Sequence, residues 1–283
     1  MTRAFPEMKK KLGFGMMRLP MLGETVDYEQ VNVMVDAFLA RGFNYFDTAT
    51  PYINGQSEIA VRECLAKRHP RESFLLTDKL SPNLWEKTED LEPVLNRQLE
   101  NCGVEYFDFY LMHALSAARM EQYEGAKAFE TALELKKEGK IRHLGMSFHD
   151  KADVLDQILS RHPEVEVVQI QFNYVDYDDP KVESRKCYEV CRKHGKPVII
   201  MEPVKGGSLV NLPKRAAKVF SDADSTRTPV EQAFRWLWNF EEVTVVLSGM
   251  NSISQVEDNC ASADSAKAGS LSDAELAVFD KVC

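Results

Sequence analysis

The stretch HLGMSFHDKADVLDQILSRHPEVEVVQIQFNYVDYDDPKVESRKCYEVCRKHGKPVIIME, residues 143–202, decides the fold. Three short apolar runs, 143–147, 167–172 and 198–202, read as strands buried on both faces, because their apolar character is nearly continuous and rich in β-branched residues. Between them lie amphipathic segments at 151–160 and 182–194, long enough for helices. Strand, helix, strand, helix, strand is the grammar of parallel βα units.

Working outward, the same grammar fills the chain. Further strands are expected at 12–16, 44–48, 74–79, 107–113 and 244–248, and further helices at 28–41, 58–67, 88–101, 123–138, 229–240 and 254–262. Thr228-Pro229-Val230-Glu231 sets a capping threonine, a first-turn proline and a capping-box glutamate in order. Ser272-Asp273-Ala274-Glu275 begins a final helix expected at 272–282. Eight consecutive βα units with no repeat, low-complexity tract or linker predict one α/β domain over residues 1–283, closed as a (β/α)8 TIM barrel. An open doubly wound sheet is the alternative topology.

Composition narrows the function. A net charge of −9 over 283 residues disfavours a nucleic-acid partner. No apolar stretch approaches the roughly 20 residues that span a bilayer, and residues 1–11 lack the apolar core of a signal peptide, so a cytoplasmic location without membrane partners is expected. Cys64, Cys102, Cys187, Cys191, Cys260 and Cys283 are scattered. They read as inert thiols in a reduced compartment, and no metal site is expected.

In such barrels chemistry gathers where strands end. Asp47 ends the second strand, Tyr52 follows in its loop, Lys79 closes the third and His113 the fourth. Each alone has a structural explanation, but four polar groups over three successive units converge on one mouth. The set suits proton delivery to a carbonyl oxygen. An ammonium about 4 Å from a phenol is worth roughly 4 kcal/mol at an effective dielectric of 20, or about three pKa units. Lys79 is therefore expected to lower the pKa of Tyr52, Asp47 to anchor Lys79, and His113 to orient the carbonyl.

The segment Gly42-Phe43-Asn44-Tyr45-Phe46-Asp47-Thr48-Ala49-Thr50-Pro51-Tyr52 resembles the Asp-Thr-Ala-x-x-Tyr motif of the aldo-keto reductases, and Lys79 and His113 match the rest of that family's tetrad. The likeness runs from Gly13 to Asn259. It implies NAD(P)H-dependent reduction of a small-molecule aldehyde or ketone, with Tyr52 as general acid. A nicotinamide-sensing regulatory subunit with little turnover is the alternative.

The resemblance also implies cofactor contacts: Gly15 and Met16 at the end of the first strand, Asp47 at the second, Ser147 and Gln171 at the nicotinamide carboxamide, and Met201 where the family stacks an aromatic ring. Pro203, Val204, Gly206 and Ser208 would follow the seventh strand. Gly249, Met250, Asn251, Gln255, Asp258 and Asn259 would hold the adenosine end. Two departures stand out. Phe148 replaces a frequent asparagine, and Gly249 and Gln255 stand where many NADPH users place a lysine and an arginine. The cofactor is accordingly read as NADPH or NADH. Substrate contacts are expected from Tyr52, His113 and Trp85. The chain carries neither the longer substrate-closing tail nor the cysteine-rich iron-sulfur extension of some relatives, so an open pocket without a cluster is expected.

Overall fold

A computed structural model describes residues 4–282. Eight parallel strands close into a barrel in the circular order β1 (Leu12–Gly15), β4 (Tyr45–Asp47), β5 (Leu75–Leu80), β6 (Phe107–Leu115), β7 (Ile141–Phe148), β8 (Val167–Gln171), β9 (Val198–Met201) and β10 (Val243–Gly249), with β10 returning to β1. The two remaining strands, β2 (Met21–Leu22) and β3 (Thr25–Val26), form a small antiparallel hairpin. Spatial order follows chain order, so every crossover joins neighbours.

The two faces of each strand fill two different spaces. Tyr45, Leu75, Phe109, Leu111, Val167, Ile199, Val245 and Leu247 point inward, and Phe5 and Met8 plug the end where the strands begin. Phe5 meets Phe109 edge-on at 5.0 Å. Two glycines make room in this interior. A Cβ on Gly13 would sit 2.7 Å from Val245, and one on Gly145 would sit 2.5 Å from Leu111. The alternate residues, such as Tyr110, Met112, Val168 and Ile170, face the helices. The polar side chains that end the strands, Asp47 and Lys79 among them, stand at the opposite, upper end.

The helices follow the amphipathic segments closely: α1 (Tyr28–Ala40), α2 (Gln56–Val61, continued by a wide turn over Arg62–Ala66), α3 (Thr88–Cys102), α4 (Ala117–Gly125) and α5 (Ala128–Lys137). They continue with α6 (Ala152–Arg161), α7 (Ser184–Lys193), α8 (Lys214–Ala223), α9 (Pro229–Trp238), α10 (Ile253–Ala263) and α11 (Asp273–Val282). Two departures have physical reasons. The helix expected at 123–138 is two helices, broken at Lys127, whose φ is +52°. The first of them, α4, buries only Met120 and Tyr123 and so carries little periodic signal. Likewise α8 buries Phe220 alone, against Phe279 of α11 at 5.3 Å, which a periodicity search passes over.

Candidate active site

The four expected residues meet at the upper mouth. Asp47 ends β4, and the chain then turns so that the Tyr52 amide donates to the Ala49 carbonyl at 3.0 Å. Ile53 and Asn54 adopt left-handed backbone just beyond, at φ +49° and +52°. On the adjacent strand, the fully buried Lys79 ammonium donates to Asp47 Oδ1 at 2.6 Å and to the Thr48 carbonyl at 2.7 Å. The Tyr52 ring lies 4.8 Å from that ammonium, and its centroid is 6.3 Å from the His113 ring, edge to face.

Burial would strip the proton from Lys79, but Asp47 and Tyr52 outweigh it and its pKa goes up, so it stays an ammonium. Burial raises the Asp47 carboxyl, against the opposing pull of Lys79 and of Gln169, whose amide donates to Asp47 Oδ2 at 3.2 Å. Tyr52 departs from expectation. Burial pushes its pKa up, and Lys79 only partly opposes this, so the net direction is upward. The attraction of Lys79 is as expected from charge alone; the desolvation of a phenol enclosed at the mouth is larger. His113 is drawn down to about 3, first by burial, then by Lys79, His149 and Arg119. It is neutral at physiological pH, and its Nδ1 lies 2.6 Å from the hydroxyl of buried Ser81.

From Asp47 and Tyr52 a groove of about 620 Å³ runs over the strand ends to α10. Gly15, Met201, Pro203, Val204 and Gly206 line its first part, and Gly249, Asn251, Gln255, Asp258 and Asn259 its far part. Asn259 is held by its amide donating to Ser248 Oγ at 3.1 Å. Asn251 N donates to Gln255 Oε1 at 2.8 Å, closing the turn into α10. Gly206 sits at φ +63° and Gly207 at +95°, so the loop exposes backbone where side chains would otherwise stand. A groove of this size, lined in part by Gly15, Gly206, Gly207 and Gly249 and beginning at Asp47 and Tyr52, fits an extended dinucleotide.

Several expected contacts lie outside the lining. Met16 and Met250 are buried in the core, because strand alternation turns them toward the helices. Ser208 is exposed, its hydroxyl donating to the Lys205 carbonyl at 2.8 Å. Ser147 is buried and accepts from the Ala114 amide at 2.7 Å, where the β6–β7 register shifts after His113. Gln171 donates to Asp176 at 2.8 Å, so the glutamine reaching the tetrad is Gln169, two residues earlier on the same inward face. Trp85 is buried edge-on against Tyr123 at 5.0 Å beneath α4 and does not reach the groove.

Other residues went unread in sequence. Arg18 and Met17 extend over the groove from the block that follows β1, and Thr228 and Glu231 reach it from the start of α9. Ser81 was signalled only by standing two residues beyond Lys79, on the same side of the chain. Cys187 is pushed up to about 12 by burial, and Cys191 also upward, as inert thiols require. Cys283 lies outside the described residues. Among the described residues no helix is long and apolar enough to cross a membrane.

The model of the aldo/keto reductase family matches residues 11–282. This chain belongs to the aldo-keto reductase family. The enzyme is therefore an NAD(P)H-dependent oxidoreductase. An aldo-keto reductase of Mycobacterium avium is 27% identical over 246 residues, covering 86% of this chain and 80% of the relative. An NADH-specific methylglyoxal reductase of Escherichia coli is 25% identical over 264 residues, covering 78% of each. Among solved structures, the holo form of aldo-keto reductase AKR11C1 from Bacillus halodurans superposes with a TM-score of 0.77 at 22% identity, covering 96% of this chain and 92% of that one. A Klebsiella pneumoniae aldo-keto reductase in complex with NADPH gives 0.76 at 21%, covering 96% and 90%.

Proposed function

We propose that this aldo-keto reductase reduces an aldehyde or ketone to an alcohol with Tyr52 as proton donor, and that it uses NADH in preference to NADPH. The observation that carries the chemistry is the fully buried Lys79, bonded to Asp47 at 2.6 Å and set against the Tyr52 ring. The nicotinamide, when bound, supplies a hydride. Tyr52 gives its hydroxyl proton to the carbonyl oxygen, and the Lys79 ammonium supports the phenolate left behind. Asp47 keeps that ammonium charged and aimed. A neutral His113 whose Nδ1 accepts from Ser81 presents Nε2–H as a donor, which orients the carbonyl oxygen toward Tyr52.

The cofactor preference rests on charge along the groove. Among the described residues that line the groove, Arg18 is the one cation, and it lies beside Gly249 and 3.9 Å from Glu202. The α10 side offers Gln255, Asp258 and Asn259, and α9 adds Glu231. Carboxylates accept hydrogen bonds from a ribose hydroxyl and repel a phosphate in its place. The NADH-specific reductase named above is in keeping with this reading.

Two measurements test it. Titration of the protein with each reduced cofactor should show NADH bound at least tenfold more tightly. Tyr52→Phe should keep that binding and lose about 10²- to 10⁴-fold in carbonyl reduction, the contribution of a positioned acid. Full turnover by that variant would remove Tyr52 from the acid's role, and tighter NADPH binding would reverse the cofactor assignment.

A further inference from the structure

Beside the tetrad, three segments are tied into one corner. The His149 amide donates to the Leu115 carbonyl at 2.9 Å, linking the end of β7 to the end of β6. Asp150 then accepts from the Ala117 amide at 2.8 Å, which fixes the start of α4. Arg119, two residues into that helix, turns back and donates through Nη1 to the carbonyl of Ala114, the residue after His113, at 2.9 Å. The helix itself is clamped over the mouth: Tyr123 donates to the Leu80 carbonyl at 2.6 Å, and Gln122 to the Pro82 carbonyl at 2.8 Å.

The corner holds an uncompensated positive charge. Lys79 is neutralised by Asp47. Among the described residues Arg119 has no carboxylate within 4.0 Å, and Asp150 directs its oxygens to the amides of Ala117 and Lys151. Ser147 and Phe148 are buried, so His149 is the first exposed side chain after β7, and Arg119 is exposed as well. His149 is exposed along one edge and enclosed behind it: partial desolvation first, then the charge of Arg119, lowers its basicity, while His113 is lowered by burial and then Lys79, with Arg119 a smaller contribution. His113 is neutral, and the His149 imidazole, its basicity lowered, belongs to the same corner as the guanidinium.

We infer that this corner is a specificity site for a carbonyl substrate bearing one carboxylate, with Arg119 as its charged receptor and His149 as a hydrogen-bond donor beside it. This rests on the carbonyl reduction proposed above. A guanidinium fixed by one arm keeps its other N–H groups in the planar fork that matches a carboxylate. One unneutralised cation suits a monoanion. Rigid tethering of α4 removes much of the ordering cost that a long arginine otherwise brings to a ligand.

The test compares 4-carboxybenzaldehyde with 4-methylbenzaldehyde, similar in shape and different in charge, using NADH. The wild type is expected to favour the carboxylate at least tenfold in kcat/KM, mainly through KM, and to lose that preference as salt is raised. Arg119→Met should bring the ratio toward one, Arg119→Lys should restore part of it, and His149→Ala should lower it less. Calorimetric titration with benzoate against benzamide reads the same site without turnover. If neither aldehyde is reduced but benzoate binding depends on Arg119, the anion site stands and the reductase reading falls. A charge-independent ratio in the wild type, or an unchanged ratio in Arg119→Met with benzoate bound as before, overturns the inference.

Discussion

Ser81 shows how a side chain without chemistry of its own can shape the reaction. A neutral imidazole has one donor and one acceptor nitrogen, and the partner of one decides the role of the other. A Ser81 hydroxyl that donates across the 2.6 Å to Nδ1 leaves the proton of a neutral His113 on Nε2. Ser81→Ala should cost roughly tenfold in kcat/KM, the order of one lost hydrogen bond to a buried polar group. Ser81→Thr should recover most of it. A structural role alone would lower the melting temperature and leave kcat/KM of the folded enzyme unmoved, so both are measured. Lys79 acts differently, because its removal uncovers a buried carboxylate. Lys79→Met should slow reduction by more than 10²-fold and destabilise the fold by about 3–5 kcal/mol, the cost of breaking a buried ion pair. Adding Asp47→Asn should return stability without returning rate.

At the level of elements, the adenosine end is governed by the turn into α10. Gln255 stands in its first turn, exposed and facing the groove. Replacing it with arginine would put a cation where the lining otherwise carries carboxylates. Gln255→Arg should move the ratio of NADPH to NADH dissociation constants by about ten- to a hundredfold toward NADPH, the range of one charge-assisted hydrogen bond. Gly249→Lys is a poorer probe, since a Cβ there would lie 3.0 Å from the Arg18 side chain. The strands and most helices were legible because period and length speak for themselves: 107–113 was expected and Phe107–Leu115 is found. The grouping of Asp47, Tyr52, Lys79 and His113 at one mouth was legible because three of them stand near strand ends and Tyr52 in the loop that follows the first. What alternation hides was not: Gln169 and Gln171 share one inward face, and only their depth along β8 separates the one that reaches Asp47 from the one that reaches Asp176. Nor could α4 be read, since its hold on the mouth depends on Tyr123 and Gln122 meeting carbonyls at the end of β5 and in the loop after it.

For the molecule as a whole, stability is coupled to a second group of acids, buried between the barrel wall and α2 and α3. Asp78 lies beside Lys79 in sequence but points the other way, accepting from the Lys79 amide at 2.7 Å and from Gln98 at 3.4 Å. Glu58, also fully buried, accepts from Thr50 at 2.5 Å and from Asn101 at 2.7 Å. Burial drives the Asp78 carboxyl well above the usual aspartate range and Glu58 adds to it; Glu58 is itself raised by burial. An acid whose pKa is higher folded than unfolded holds a proton in the native state that the unfolded chain has released, so stability declines as pH rises from the ordinary aspartate value of about 3.9 through the native one. Asp78→Asn keeps an acceptor for the Lys79 amide and removes the ionisation. Its melting temperature should therefore exceed that of the wild type by a margin that widens between pH 5 and pH 8. A constant margin, or a deficit growing with pH, would mean that Asp78 is ionised in the native state and that the hydrogen bonds around it, not its proton, make its burial tolerable.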